Sequence, residues 1–324
     1  MLLVALTLSA ATDSISYLPV FHGTFRGRYE QSTVDGEQRF QVRNARLSVA
    51  GIITPRIDYF IQTDLCDRGK MKILDAWGRF KPSASVDLQM GQFRMPFGVE
   101  SFLAPHTYYF ANRSYMGKAM CNYRAVGAKA VWRYKPLTVE AGVFNPNTIS
   151  DHEQWHRPMA YSAKASWQLR NVLLSAGFMS IEPDSVRANL ADVALRWHAG
   201  RWTVAAEYMY EHYTNSRHKA SHSYVGQVNY AMPVRLWEFN SLSFQARFDG
   251  ITAQSDGKNL VDGRLTTTQK PVNRITAGST ISHIHSKSIF ADLRVNYEKM
   301  FFHRGVEVTP DMGDKLVVEM VLRF

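Results

Sequence analysis

The sequence predicts an all-β fold: a transmembrane antiparallel β-barrel of sixteen strands, with a long third extracellular loop folded into the lumen. Three observations predict it. Sixteen segments alternate apolar and polar residues with period two, each about the length a tilted strand needs to cross a bilayer. The links between them alternate long and short. The last ten residues form one such segment, with Leu316, Val318, Met320, Leu322 and Phe324 on one face and Lys315, Glu319 and Arg323 on the other. No run of about 18 apolar residues occurs, so helical spans are excluded.

The segments follow in order. Residues 21–31 open the series, and 39–53 place Ala45, Leu47 and Val49 against Asn44, Arg46 and Ser48. Residues 56–65 turn Ile57, Tyr59, Ile61 and Leu65 outward and Arg56, Asp58, Gln62 and Asp64 inward. Residues 72–81 turn Leu74, Ala76 and Phe80 outward and Asp75, Trp77 and Arg79 inward. Residues 86–94, 124–135, 137–144 and 159–169 keep the same alternation, with Lys129, Arg133 and Lys164 on polar faces. Segments 171–179, 189–199, 201–213, 221–232, 238–250, 271–282, 288–297 and 315–324 complete the set, 271–282 being the least regular.

Short links fall at 54–55, 82–85, 136, 170, 200, 233–237 and 283–287, several with the Pro, Gly or Asn that tight turns use. Long links fall near 32–38, 66–71, 95–123, 145–158, 180–188, 214–220, 251–270 and 298–314. Segregation of loop length by parity marks an outer-membrane barrel, with short periplasmic turns and long extracellular loops. An even strand count places both termini on the periplasmic side. A soluble sandwich has no reason to sort its loops in this way. A chain in lipid must pair its backbone groups internally, so the series must close, with 315–324 against 21–31. Sixteen strands enclose a bore too wide for side chains alone to fill.

Composition agrees. Mean hydropathy is −0.25 because alternation dilutes the apolar signal, and aromatic residues reach 12%, enough for girdles at two membrane interfaces. Residues 1–11 are apolar and end in Ser9-Ala10-Ala11, which reads as the hydrophobic part and cleavage site of a signal peptide, leaving 12–324 as the barrel. Net charge is +10, but Lys and Arg are spread along the chain without a basic run, which argues against nucleic acid. The two cysteines, Cys66 and Cys121, fall in the second and third long links. Same-side placement in an oxidising compartment allows a loop-latching disulfide; two separate thiols are the alternative.

The longest link, 95–123, carries the functional reading. Pro96 and Gly98 end the preceding strand, and the link holds Tyr108-Tyr109-Phe110, Arg113, Tyr115 and Lys118, with Glu100 its clear acidic exception. An aromatic, basic link of this kind is read as folding into the lumen and narrowing it. Phe40-Gln41-Val42-Arg43-Asn44-Ala45-Arg46-Leu47-Ser48-Val49-Ala50-Gly51, the Asp75-Ala76-Trp77 strand, Gly91-Gln92-Phe93-Arg94-Met95-Pro96-Phe97-Gly98 and Asn112-Arg113-Ser114 resemble the phosphate-selective porin O and P family. The match is best over 39–114. The resemblance implies a sixteen-stranded homotrimeric outer-membrane porin of a Gram-negative bacterium, with a pore-inserted third loop. It also implies passage of phosphate or other anions along lumenal Arg and Lys. Phe324 resembles the terminal address read by the barrel assembly machinery.

The inward faces carry similar numbers of acids and bases, so selectivity is expected at the constriction, where Arg94, Arg113, Lys118 and Arg124 cluster, with Arg46, Lys129 and Arg133 along the path. The expected function is passive diffusion of small hydrophilic solutes with a mild anion preference, in contact with outer-membrane lipid and without a cofactor. Two other classes stay open: a plugged, structural or complex-forming barrel, and an outer-membrane hydrolase using His198 or His212, for which no serine partner is evident. Asp151-His152-Glu153-Gln154-Trp155-His156 lacks a second ligand pair, so no metal site is assigned.

Overall fold

The computed structural model describes residues 16–67, 69–146, 154–302, 306, 309 and 312–324. The segment 1–11 and Asp151, His152 and Glu153 lie outside them. Sixteen strands pair antiparallel with their sequence neighbours, and the last pairs with the first, closing the ring. They are β1 (Val20–Ser32), β2 (Gln38–Thr54), β3 (Ile57–Asp67), β4 (Lys70–Ser83), β5 (Val86–Arg94), β6 (Arg124–Tyr134), β7 (Leu137–Phe144) and β8 (Ala160–Leu169). The series continues with β9 (Val172–Ile181), β10 (Ala188–Ala199), β11 (Trp202–Tyr213), β12 (Ser221–Leu236), β13 (Phe239–Ile251), β14 (Val272–Ile284), β15 (Phe290–Phe302) and β16 (Lys315–Arg323).

Closure runs from Thr24 opposite Arg323 to Ser32 opposite Lys315. Beyond it, Gly23 N–H donates to Phe324 O at 2.6 Å and Phe324 N–H donates to Gly23 O at 3.1 Å. A Cβ on residue 23 would run into the Phe324 ring, so glycine lets the terminal aromatic lie flat on β1.

Burial is inverted relative to a water-soluble protein. On β15, Asp292, Arg294, Asn296 and Glu298 are buried, while Leu293, Val295 and Tyr297 between them are exposed. On β1, Arg26, Arg28 and Glu30 are buried while Phe21 is exposed. A continuous apolar outer surface is stable only against hydrocarbon, and closure leaves no unpaired sheet edge there. Exposed Trp132, Trp167, Trp197 and Trp202 ring the short-link end, and Tyr161, Phe178, Tyr208 and Phe301 lie towards the long-link end.

Three local expectations change. Leu74 turns inward and is buried, because Gln62 pairs Asp75 while Thr63 pairs Ile73, leaving Leu74 as the extra residue of a bulge. Pro233 stays within β12, at a register shift where its missing N–H costs no rung. Cys66 belongs to β3 rather than to a link.

Of the two alternatives for the cysteines, the structure has Cys66 and Cys121 as separate free thiols. Cys66 is half-buried at the long-link end of β3, with Sγ 3.8 Å from Val42 O. Cys121 is locked in an apolar interior cluster with Met116, Met120 and Phe97.

That cluster fills one side of the ring. Towards the long-link end of β7 to β11 the inward positions become apolar, with Phe144, Ala160, Met179, Leu190 and Met209 fully buried. Protein covers them instead of water. The 252–271 link packs over the same side: Tyr213 Oη donates to Ser255 O at 2.7 Å, Gln254 Nε2 donates to Glu211 Oε2 at 3.2 Å, and Leu265 joins the cluster.

Candidate functional site

The site begins where β5 ends. Pro96 cannot donate a rung, and Met95 N–H makes the last ladder-like bond, to Tyr123 O at 3.2 Å. Gly98 sits at φ +73°, and a Cβ there would press on Met209 and Glu207, so the sharp turn needs glycine. From this turn the 95–123 segment is held through its backbone by wall side chains.

Asp192 on β10 accepts from Gly98 N–H at 3.2 Å, and Lys164 on β8 donates to Gly98 O at 2.6 Å. Glu207 on β11 accepts from Val99 and Glu100 N–H at 2.7 and 2.9 Å. Further along, Arg26 and Arg28 on β1 donate to Ala111 O at 2.6 and 2.8 Å, and Asn296 on β15 accepts from Ala111 N–H at 2.7 Å. Arg247 and Arg274 donate to the carbonyls of Asn112 and Arg113 at 2.9 and 2.6 Å. Asp249 accepts from Tyr115 N–H at 2.8 Å. The segment also braces itself: Glu100 accepts from Ser114 N–H at 2.9 Å and from its hydroxyl, and Ser114 Oγ caps α1 (Tyr115–Ala119) by accepting from Gly117 N–H at 2.9 Å. Most of these anchors bind main chain, and the Asn112 side chain adds bonds of its own, to Arg28 at 2.7 Å and Glu298 at 3.1 Å.

Beside this segment, towards the long-link end, lies a cavity of about 1070 Å³. Twelve basic side chains line it against three acidic ones, which gives it a positive field. Most of the bases are compensated. Arg46 Nε lies 2.9 Å from Asp64, Arg124 Nε 3.1 Å from Asp75, and Arg26 and Arg28 share Glu319 at 2.7 and 2.8 Å. Arg94 differs. It is buried, its Nη1 has only a 3.4 Å contact to Leu103 O, and its Nε has no partner among the described residues. Arg113 donates to Asn122 Oδ1 at 3.0 Å and lies over the Tyr108 ring at 4.9 Å. Neither forms an ion pair among the described residues.

Residues 20–173 match the model of the family described as phosphate-selective porin O and P. Over that span, a little under half of its length, the chain is similar to the porin O and P family. The span runs from β1 into β9, so it takes in the 95–123 segment together with Arg46, Arg94, Arg113 and Arg124. No curated protein matches the chain. Among solved structures, OmpF of Salmonella typhi superposes with a TM-score of 0.66 at 15% identity, covering 94% of this chain and 97% of that one. The trimer form of OmpT, an outer membrane protein of Vibrio cholerae, superposes at 0.63 with 12% identity over 95% and 99% of the two chains. An anion-selective porin from Comamonas acidovorans superposes at 0.60 with 9% identity over 94% and 98%. At these identities the likeness is one of fold.

Within this barrel, five of the residues expected on an anion path meet around the cavity: Arg46, Arg94, Arg113, Lys118 and Arg124. Two do not. Lys129 is engaged with Glu140 at 2.6 Å and Arg133 with Asp87 at 2.6 Å, and neither lines the cavity. Both sit on β6 nearer the short-link end, where cross-strand carboxylates neutralise them. Sequence reading missed Arg26, Arg28 and Arg274. Arg26 and Arg28 share one parity of β1 with Glu30, a polar stripe legible in sequence, but their approach to residue 111 is long-range.

His106 lies in the same segment, where its carbonyl accepts from Arg294 at 3.0 Å. Burial, with Arg323, Arg294, Arg46 and Arg26 nearby, pushes its imidazole down to about 3, so the ring is neutral at ordinary pH. It adds no positive charge to the cavity; the arginines supply the field.

Proposed function

We propose that the barrel is an outer-membrane porin: a water-filled channel for passive diffusion of small hydrophilic solutes, crossed and narrowed by the 95–123 segment, and preferring anions. The cavity beside that segment carries the reading, with twelve bases to three acids and two arginines that pair with no carboxylate among the described residues. An anion drawn into this field finds N–H donors that no protein carboxylate already occupies. The apolar cluster on the β7–β11 side leaves the basic side as the wet route, which favours a narrowed channel over a sealed one.

The chain's likeness to the anion-selective Comamonas acidovorans porin supports the same preference, and the trimer form of the Vibrio cholerae protein supports a homotrimer. Reading the short links as periplasmic turns, as in other outer-membrane barrels, supports both termini lying on that side. Residues 1–11 are the export signal, and Phe324, lying against Gly23, is the address read by the assembly machinery. Channel chemistry also suits the histidines better than hydrolysis does: His198 Nδ1 faces Thr203 Oγ1 at 3.0 Å rather than a serine.

Single-channel recording in a planar bilayer tests the channel, and reversal potentials in salt gradients test its sign. Discrete steps with anions more permeant than cations are expected. A silent barrel, or a clear cation preference, overturns the proposal.

A further inference from the structure

We infer that the short-link rim over β8 to β13 is a binding surface for anionic phospholipid headgroups. The inference rests on the reading of the chain as an outer-membrane barrel, and it names the lipid chemistry that one end of the wall takes.

The short links are basic. Five of the seven carry one base each: Arg56, Lys135, Arg170, Arg201 and Lys287. The other two have one just inside the adjoining strand, Lys81 on β4 and Arg235 on β12. Glu238 is the one acidic side chain in these links. Lys81 lies 2.5 Å from Asp58; the other six bases are exposed, and none forms an ion pair among the described residues. The wall just inside the rim differs, with Arg79 on Asp58 at 2.7 Å and Arg133 on Asp87 at 2.6 Å. A rim of unpaired bases keeps a positive field that salt screens but no protein carboxylate cancels.

Where the bases point selects the partner. Arg201 turns to the outer side of the ring: its Nη1 donates to Tyr230 Oη at 3.4 Å, and Tyr230 packs on Trp202 with ring centroids 4.7 Å apart. Tyr230 and Trp202 stand opposite each other in the ladder and face outward, since Thr203 and Asn229 beside them are buried. The same sector exposes Trp167, Trp197 and Trp237, the last 94% exposed in the link after Arg235. Indole and phenol rings settle at the depth of lipid headgroups. Arg170, Arg201 and Arg235 each lie within three residues of one of these tryptophans, which puts them at the level of the headgroup phosphates.

Headgroup chemistry completes the choice. A phosphodiester offers the oxygens that a guanidinium binds through paired N–H groups. A zwitterionic headgroup brings its own ammonium to that phosphate, so only a headgroup of net negative charge gains fully from several neighbouring bases. A soluble acidic protein meets the open end of the ring and has no use for a base turned onto the outer wall.

Brominated lipids quench the tryptophans they touch, so the short-link tryptophans report which headgroups gather beside them. The barrel is reconstituted into vesicles of brominated phosphatidylglycerol with plain phosphatidylcholine, and into the converse mixture. Wild type is compared with the triple variant Arg170→Gln, Arg201→Gln, Arg235→Gln. A control triple removes exposed bases from the long links instead: Lys219→Gln, Lys258→Gln, Arg264→Gln. Heat modifiability checks folding. Wild type and control are expected to favour phosphatidylglycerol roughly fivefold, and the short-link triple roughly twofold or less. High salt is expected to shrink the wild-type preference. Equal preference in the two triples overturns the inference. No preference in wild type also overturns it, and leaves the rim to a soluble acidic partner. Should the short-link triple not fold, Arg201→Gln decides alone, with a preference below that of wild type expected. Both leaflets share one composition, so the readout does not depend on which way the barrel inserts. A silent barrel that keeps the preference overturns the channel reading and leaves this inference standing; conductance steps without the preference do the reverse.

Discussion

Glu207 accepts the backbone N–H groups of Val99 and Glu100 at 2.7 and 2.9 Å, joining the wall of β11 to the turn that launches the 95–123 segment. One carboxylate thus fixes the start of the segment through atoms that every sequence possesses. Removing it leaves one buried and one part-buried donor unmet, at up to about 1–3 kcal/mol each. Glu207→Ala is expected to loosen the segment while the barrel still folds, giving larger and noisier conductance steps with weaker ion selectivity. Unaltered steps would show that the other anchors suffice.

Arg94 and Arg113 line the basic cavity, and neither forms an ion pair among the described residues. Arg94→Ala with Arg113→Ala is expected to lower the anion-to-cation permeability ratio severalfold, because field removed at a narrow point is not replaced. Lys129→Ala, which removes a base held by Glu140, is expected to leave the ratio nearly unchanged. Reversal potentials read both. Equal effects from the two sets would sink the idea that pairing decides which bases a solute feels.

His106 gives docking of the segment a pH dependence of definite sign. Docked, its imidazole is held to about 3; free of the wall it titrates near 6.5. The undocked form therefore takes the proton first, and docking weakens as pH falls from about 6.5 towards 3, with nothing lost above that window. Protease susceptibility of the segment, or current noise, should rise on acidification. His106→Gln should flatten the response, which separates the ring from the carboxylates Glu319, Asp64 and Asp292 that pair the surrounding arginines.

The two cysteines should differ in reactivity. Burial pushes the Cys121 thiol well above its ordinary value, whereas Cys66 is half-buried on the rim of the basic cavity. A thiol reagent is expected to label Cys66 alone in the native barrel and both residues after unfolding without reductant. A single labelled site after such unfolding would mean that the second thiol is not free.

The sequence by itself determined the barrel. Period-two alternation fixed which residues face out, loop-length parity fixed the strand count and pairing order, and the terminal Phe324 segment could only close against β1, because a strand edge has no partner in lipid. These are local or periodic properties, and each is repeated many times along the chain. Arg46, Arg94, Arg113, Lys118 and Arg124 were legible for a similar reason: four fall in or beside one unusual link. What only the tertiary structure decided depends on contacts between residues far apart in sequence. No spacing tells that Arg124 meets Asp75 while Arg94 pairs with no carboxylate among the described residues, that Leu74 turns inward on a bulge, or that Cys121 sits in an apolar cluster away from Cys66. Alternation assigns a side chain to the inner face, but the charge it presents there is set by which distant strand lies opposite, and that is a property of the closed ring.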